Sequence, residues 1–177
     1  MNGALQNVGV GYGALSALTT GDSNVAIGKD ALLAILAGST NSVVGRSAGA
    51  ALTSGGGNTI IGQGAGLTTT DVDNTVIIGK DAGIADMTNA ADGTVAIGKG
   101  ALAALTTGET NTAVGFMALN AEDTNQQNTA IGFNALLAQN GADSNTAIGR
   151  EVGKTISTGG DNTLVGTNAA LLFWMRL

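Results

Sequence analysis

One five-residue phrase, N-T-A-I-G at residues 128–132, recurs with small substitutions from one end of the chain to the other. Its closing glycine returns every seventeen residues, with a single step of nineteen between Gly79 and Gly98. These ten repeat glycines are Gly11, Gly28, Gly45, Gly62, Gly79, Gly98, Gly115, Gly132, Gly149 and Gly166. A short period held over nearly the whole chain predicts a solenoid, because each repeat can bury its apolar side only by stacking on its neighbours.

The three residues before each repeat glycine are β-branched or small, as in Thr146-Ala147-Ile148, which favours a short strand. We therefore predict one parallel strand per repeat, in an all-β parallel solenoid, or β-roll, of ten 17-residue repeats. At a strand spacing of roughly 4.8 Å, ten turns make a rod on the order of 45–50 Å long. The residue before each repeat glycine is always Val or Ile. We expect this column, which includes Ile131, to face the core.

Glycine and asparagine mark the corners of the repeat. The repeat glycine is expected where the backbone needs a positive φ, or where a neighbouring backbone leaves no room for a Cβ. Asn stands four residues before it in eight of the ten repeats. Asn tolerates a left-handed corner conformation and can pass side-chain amide hydrogen bonds along a ladder, although it is also simply a good turn residue.

The segment A-L-x-x-L after each repeat glycine is ambiguous. Its apolar spacing fits one helical turn, and a slightly different spacing would fit a strand. Seventeen residues leave little room for a helix beside a strand and two corners. We favour a second short strand or an irregular turn.

The composition suits a thin, stacked core. The chain has 177 residues, of which 44% are apolar but only 3% aromatic, with 29 Gly and no Pro, Cys or His. Its core must therefore be built from Ala, Val, Ile and Leu. We predict one continuous solenoid over residues 1–168, with a two-residue insertion near 84–93 that bulges from a corner. The apolar segment 169–177 is expected to cap the last turn or to dock against a partner.

The chemistry available to the chain is limited. Without His or Cys, the commonest nucleophile and base arrangements and nearly all transition-metal sites are excluded. The carboxylates follow the repeat corners, so we predict no catalytic residues, no metal, no cofactor and no enzymatic activity. The net charge of −6 gives no bulk attraction to nucleic acid. No apolar run reaches the length needed for membrane insertion.

Basic and aromatic residues share one position of the repeat. Five of the seven basic residues directly follow a repeat glycine, and this position also carries Tyr12, Phe116 and Phe133. Like charges on neighbouring turns repel unless anions lie beside them, and acids on an adjoining chain could supply those anions. We therefore expect a subunit interface here, with a solvated charge stripe as the alternative. The candidate interface residues are Tyr12, Lys29, Arg46, Lys80, Lys99, Phe116, Phe133, Arg150, Phe173 and Trp174.

Three phrases carry a resemblance to known repeats: G-Y-G-A-L at residues 11–15, L-T-T-G at 105–108 and N-T-A-I-G at 128–132. They resemble the G-Y-x-A-L…T-T-G-x-x-N-T-A-I-G repeats of bacteriophage tail-fibre and tail-spike shafts and of related bacterial surface proteins. They are also similar to the S-V-A-I-G repeats of trimeric autotransporter adhesin heads. The resemblance covers about nine-tenths of the chain. It implies a parallel β-roll, often with three chains side by side, and a role in attachment.

On this basis we expect a structural fibre or attachment segment, such as a phage tail fibre or virion appendage involved in host recognition. Expected partners are two further copies of the chain in a homotrimer, a host receptor or glycan, and other fibre components. The period is longer than that of adhesin heads, and no signal peptide, membrane anchor or chaperone-like C-terminal domain is visible. These departures favour a virion location, or an excised shaft, over a cell-surface adhesin head, which is the first alternative.

A third hypothesis comes from a column of threonines. Regular Thr ladders on a flat face can order water, which would suit an ice-binding solenoid. The column contains Thr59, Thr112, Thr129, Thr146 and Thr163, but Val residues such as Val25 and Val76 interrupt it.

Overall fold

The computed structural model describes residues 3–170 and contains ten strands of three residues, one for each repeat. They are β1 (Val8–Val10), β2 (Val25–Ile27), β3 (Ser42–Val44), β4 (Thr59–Ile61), β5 (Val76–Ile78), β6 (Val95–Ile97), β7 (Thr112–Val114), β8 (Thr129–Ile131), β9 (Thr146–Ile148) and β10 (Thr163–Val165). They form one parallel sheet in chain order, with Thr129 of β8 opposite Thr146 of β9. The predicted all-β parallel solenoid, with one strand per repeat, is confirmed.

Only the middle residue of each strand faces the core. Ala130 in β8 is fully buried, whereas Ile131 beside it is 38% exposed. The expectation that the column of Ile131 faces the core is therefore wrong. Side chains alternate across a strand, and in a strand of three residues only the middle one can point inward while the two flanking residues point outward.

Two columns follow from this alternation. The inner column contains the middle strand residues Gly9, Ala26, Val43, Ile60, Ile77, Ala96, Ala113, Ala130, Ala147 and Leu164. The outer column contains the last strand residues Val10, Ile27, Val44, Ile61, Ile78, Ile97, Val114, Ile131, Ile148 and Val165.

The segment A-L-x-x-L forms two successive turns. In the second repeat, the Ala31 N–H donates to the Gly28 carbonyl at 3.3 Å and the Ile35 N–H donates to the Leu32 carbonyl at 3.4 Å. Leu32 has a φ of 48°, which is incompatible with a strand. Its N–H donates to the Ala48 carbonyl of the next turn at 3.1 Å. The irregular turn, and not the second strand, is thus the correct alternative.

The core keeps a similar volume in most turns because two facing positions compensate. In eight of the ten turns, a large inner residue accompanies a glycine six residues later, as in Ile60 with Gly66, or a small one accompanies leucine, as in Ala113 with Leu119. The ninth turn is an exception, because Ala147 and Gly153 are both small. A Cβ placed on Gly66 would lie 3.5 Å from Cδ1 of Ile60, so the two positions touch. Close packing explains this exchange, because each layer has room for only one of the two large side chains.

All ten repeat glycines have a positive φ, and all except Gly166 also lie too close to the next turn for a Cβ. Gly132 has a φ of 141°, in the region that favours glycine. A Cβ on Gly132 would also collide with the carbonyl oxygen of Gly149 in the next turn. The special backbone role of this position is confirmed.

The Asn ladder is confirmed as well. The Asn128 side-chain oxygen accepts the Asn145 N–H at 2.9 Å, and the Asn128 Nδ2 donates to the Ala142 carbonyl at 3.0 Å. The left-handed conformation, however, belongs to the preceding residue, Gln127, with a φ of 59°. That part of the expectation is wrong, because the side chain of Asn128 is turned into the core to serve the ladder.

The two-residue insertion contains a 3₁₀-helix at Asn89–Ala91. Asn89 donates its N–H to Oδ1 of Asp71 at 3.0 Å, and Met87 is fully buried where five other turns place Leu or Ile. The solenoid therefore continues through the insertion without a gap in its core. Of the predicted C-terminal cap, 169–177, only residues 169 and 170 belong to the described part of the chain.

Candidate interaction surface

The outer column forms an apolar stripe along the whole sheet. Seven of its ten side chains are exposed and the other three are half-buried. The first residues of the strands point to the same side because side chains alternate along a strand, and five of them are threonines. A face of repeated Val, Ile and Thr side chains therefore runs along all ten strands.

The position after each repeat glycine borders this face, and we call it the downstream column. It contains Tyr12, Lys29, Arg46, Gln63, Lys80, Lys99, Phe116, Phe133, Arg150 and Thr167. Tyr12 is 81% exposed, and the Lys29 ammonium lies 5.9 Å from the centre of its ring.

Four successive turns of the downstream column form a stack. The rings of Phe116 and Phe133 lie 5.3 Å apart, at an interplanar angle of 11°. The Lys99 ammonium lies 5.7 Å from the centre of the Phe116 ring, and the Arg150 guanidinium lies 6.0 Å from that of Phe133. Cation–π attraction favours this order of cation, ring, ring and cation. The ring faces are thus covered within one chain, and the ring edges are left for solvent or for a partner.

Acids of the same chain accompany three of the bases. Lys29 pairs with Asp30 at 3.8 Å, Lys80 with Asp81 at 3.1 Å and Arg150 with Glu151 at 3.5 Å. The repulsion between like charges is therefore partly offset without an adjoining chain. Arg46 and Lys99 form no ion pair within residues 3–170. Two further candidates, Phe173 and Trp174, lie outside the described residues, and the interface assignment stays a prediction.

Acids line the opposite border of the sheet face, six residues before each repeat glycine. This upstream column contains Leu5, Asp22, Ser39, Gly56, Asp73, Asp92, Glu109, Gln126, Asp143 and Gly160. Its aspartates accept backbone N–H groups of the preceding turn through Oδ1. Asp73 accepts the Gly56 N–H at 2.6 Å, and Asp143 accepts the Gln126 N–H at 2.9 Å. These bonds fix the carboxylates along one edge of the rod.

Glu122 and Gln139 form a buried polar pair that the sequence pattern did not reveal. Both are fully buried, at a core position where five other turns carry Leu or Ile. Glu122 accepts the Asn125 N–H at 2.9 Å and the Gln139 amide at 3.2 Å, and Gln139 also donates to the Ala142 carbonyl at 2.9 Å. Their adjacency in one column on successive turns is the only sequence signal.

Burial raises the pKa of the Glu122 carboxyl above its ordinary 4.5. The hydrogen bonds from Asn125 and Gln139 lower this pKa, and the nearby charge of Asp143 raises it further. The folded protein thus holds the proton to higher pH than the unfolded chain does. The free energy of unfolding should therefore fall as pH rises from 4.5 through the raised pKa.

Glu122→Gln is expected to remove this pH dependence. The difference in unfolding free energy, variant minus wild type, should rise with pH across that window and then level off, because only the wild type titrates. Urea unfolding of both proteins from about pH 4 to about pH 8 measures this difference. The contribution of the other carboxylates is the same in both proteins and cancels. A difference that stays constant with pH would show that the buried carboxyl does not titrate as its surroundings require.

Comparison of the chain with protein-family models, with curated proteins and with solved structures finds no match. In the described part of the chain, no helix is long and apolar enough to cross a membrane. The same residues contain no group of three or more carboxylates that could hold a metal ion. The interpretation of function therefore depends on the surface itself.

Proposed function

We propose that this chain is a nonenzymatic structural rod, a segment of an attachment fibre, which assembles with further copies of itself through its sheet face. The observation that carries the proposal is the outer column, a Val or Ile on every one of ten strands, turned away from the core. A core needs no such column. An isolated rod in water would leave this apolar column open to solvent along the whole sheet.

The size of the face suits an interface between copies. Nine strand spacings of about 4.8 Å give a length of about 43 Å, and the two outward columns give a width of about 10 Å. The resulting area of about 400 Å² matches the largest apolar patches of ordinary monomers. With the upstream and downstream columns, the width is about 20 Å and the area about 900 Å². A stable interface buries about 800 Å² per partner, so the face with its charged borders is large enough.

The resemblance to tail-fibre shafts supports three copies, a virion location and a host receptor or glycan as the outside partner. A bacterial surface adhesin would use the same rod in the same way, and remains the first alternative. In both cases the surface that binds the receptor or glycan would lie on the outside of the assembly, since the sheet faces are buried against each other.

Two charges in the outer column should separate assembly from folding. Ile61→Asp with Ile131→Asp is expected to yield monomers, because every copy would bring two carboxylates into the apolar contact. The matched control is Leu33→Asp with Leu36→Asp, which places the same charges outside the sheet. Leu33 and Ile61 are both 39% exposed. Sedimentation velocity measures the assembly, and urea unfolding checks that each variant folds.

The control variant should remain assembled, and all proteins should unfold cooperatively, because exposed substitutions change stability by only about 0.5 kcal/mol. If both variants stay assembled, the sheet face is not the contact. If both become monomers, the effect is not specific to the outer column.

Ice binding is a second candidate, favoured by the threonines of β7 to β10. Thr112, Thr129, Thr146 and Thr163 point outward on four successive turns, each beside a Val or Ile of the outer column. Hydroxyl and methyl groups then repeat at about 4.8 Å along a flat face. Ice binding needs this face free, whereas self-assembly buries it, so a thermal-hysteresis assay on the wild type distinguishes the two functions.

A further inference from the structure

The charges on the two borders of the sheet face match turn by turn. Within a turn, the upstream and downstream positions lie seven residues apart, on opposite sides of the strand. An acid and a base share a turn four times: Asp22 with Lys29, Asp73 with Lys80, Asp92 with Lys99, and Asp143 with Arg150. Four other turns carry no charge at either position. The exceptions are Arg46, whose turn has Ser39, and Glu109, whose turn has Phe116.

These matched charges cannot meet within one chain. The strand between the two borders separates Asn24 from Gly28 by four residues, or about 13 Å at strand spacing. An ion pair requires the charged atoms to lie within about 4 Å. Accordingly, none of the four aspartates forms an ion pair within residues 3–170. Each uses Oδ1 for a backbone N–H, as Asp92 does for Asp73 at 2.8 Å, and retains a second carboxylate oxygen.

We propose that neighbouring copies lie parallel and in register about an axis along the rod, with the downstream column of each copy against the upstream column of the next. This arrangement rests on the proposed self-assembly through the sheet face, and it adds the relative direction and register of the neighbouring copies. Rotation about such an axis keeps equal turns at equal height. It also places the downstream border of one sheet beside the upstream border of its neighbour.

The opposite direction brings like charges together. In an antiparallel pair that overlaps along its full length, the downstream border of one copy meets the downstream border of the other. Lys29 of the second turn would then face Arg150 of the ninth turn. The four aspartates would likewise lie near aspartates, and like charges in contact are unfavourable. The charges therefore favour the parallel direction.

The register follows from the same comparison. Equal turns give four pairs of opposite charge. A slip by one turn in either direction leaves only two: Lys80 with Asp92 and Lys99 with Glu109 in one direction, or Arg46 with Asp22 and Lys99 with Asp73 in the other. The outer column cannot fix the register, because Val or Ile recurs on every turn and fits after a slip equally well. The charged borders supply the discrimination that the apolar stripe lacks.

Cysteine cross-linking tests this arrangement without cross-links at native cysteines, because the chain has no cysteine of its own. Chains with Arg150→Cys are assembled with separately tagged chains that carry Asp143→Cys, and a short bis-maleimide reagent is added. In two matched mixtures, the tagged chain carries a different cysteine. Lys29→Cys reports the antiparallel arrangement, and Asp73→Cys reports a parallel arrangement displaced by four turns.

We expect a covalent dimer of the two differently tagged chains from the Arg150→Cys and Asp143→Cys mixture, and none from the other two mixtures. A dimer from the Lys29→Cys mixture instead would overturn the parallel direction, and one from the Asp73→Cys mixture would overturn the register. An assembled protein that cross-links in no mixture would also refute the arrangement, while self-assembly would stand. A protein that is monomeric throughout would refute both.

Discussion

Gly132→Val is expected to destabilise the rod by about 2–6 kcal/mol, the larger of two effects that test the stacking of turns. Two causes add. A side chain at a φ of 141° costs about 1–3 kcal/mol in backbone strain. The new Cβ also collides with the Gly149 carbonyl, and moving a backbone that carries the hydrogen bonds between turns adds a further 1–3 kcal/mol or so.

Two valine controls separate these causes in urea unfolding. Gly166 has a φ of 124°, but a Cβ there would meet nothing within 4 Å, so Gly166→Val should show only the strain, about 1–3 kcal/mol. Ala130→Val adds bulk to the core beside an ordinary backbone and should cost about 1–3 kcal/mol. If Gly132→Val costs no more than these two controls, the close contact between neighbouring glycines does not constrain the fold.

The second large effect is a coupling between Ile60 and Gly66. Ile60→Ala alone should cost about 3 kcal/mol, because it leaves a cavity in the fourth layer. Gly66→Leu alone should cost about the same, since it overfills that layer and puts a side chain at a φ of 55°. Together they place Ala and Leu in one layer, as in Ala113 and Leu119, although Ile77 of the next turn also lies 3.5 Å from a Cβ on Gly66 and remains large. We expect the double variant to lose about 3 kcal/mol, which is less than the sum of the single costs and corresponds to a coupling of up to about 3 kcal/mol.

A double-mutant cycle in urea measures this coupling. The control cycle combines Ile60→Ala with Leu119→Gly, which lie in different layers and do not share a cavity. Those two changes should add within about 0.5 kcal/mol. Additive costs for Ile60 and Gly66 would mean that the layers do not exchange volume, and that their inverse pattern has another origin.

The repeat alone was enough to predict the solenoid, because every turn repeats the same strand and corner residues at one period. It also located the strands and the Asn ladder correctly, since β-branched residues before a glycine leave few alternatives. The turns after the strand were ambiguous for a physical reason. Leu32 has a φ of 48°, a conformation that leucine rarely adopts and that its apolar character does not reveal.

The orientation of the strands was the main error. A three-residue strand such as Thr129–Ile131 is too short to show an alternation of apolar and polar residues. Hydrophobicity alone then favours Ile131, its most apolar residue, for the core. Five of the ten inner residues are Ala, and in four of those layers a Leu such as Leu119 fills the space from the opposite wall. The exchange between large inner residues and Gly66 or Gly83 was visible in the sequence and indicates the buried side correctly.

The candidate surface was predicted in part. The alignment of Phe116 and Phe133 follows from the period alone, and their stacking in the structure agrees with it. The role of Asp30 and Asp81 as local partners of the lysines depends on side-chain geometry, which the period does not contain. Glu122 was missed because the repeat pattern assigns its position to an aliphatic side chain.

Sedimentation equilibrium of the wild-type chain, with the Ile61→Asp and Ile131→Asp double variant beside it, tests most directly whether the sheet face joins copies of this rod. The wild type should have the mass of two or more whole chains of 17.2 kDa, and the variant should have the mass of one chain while it unfolds as cooperatively as the wild type. A wild-type mass of 17.2 kDa at every accessible concentration would contradict this account.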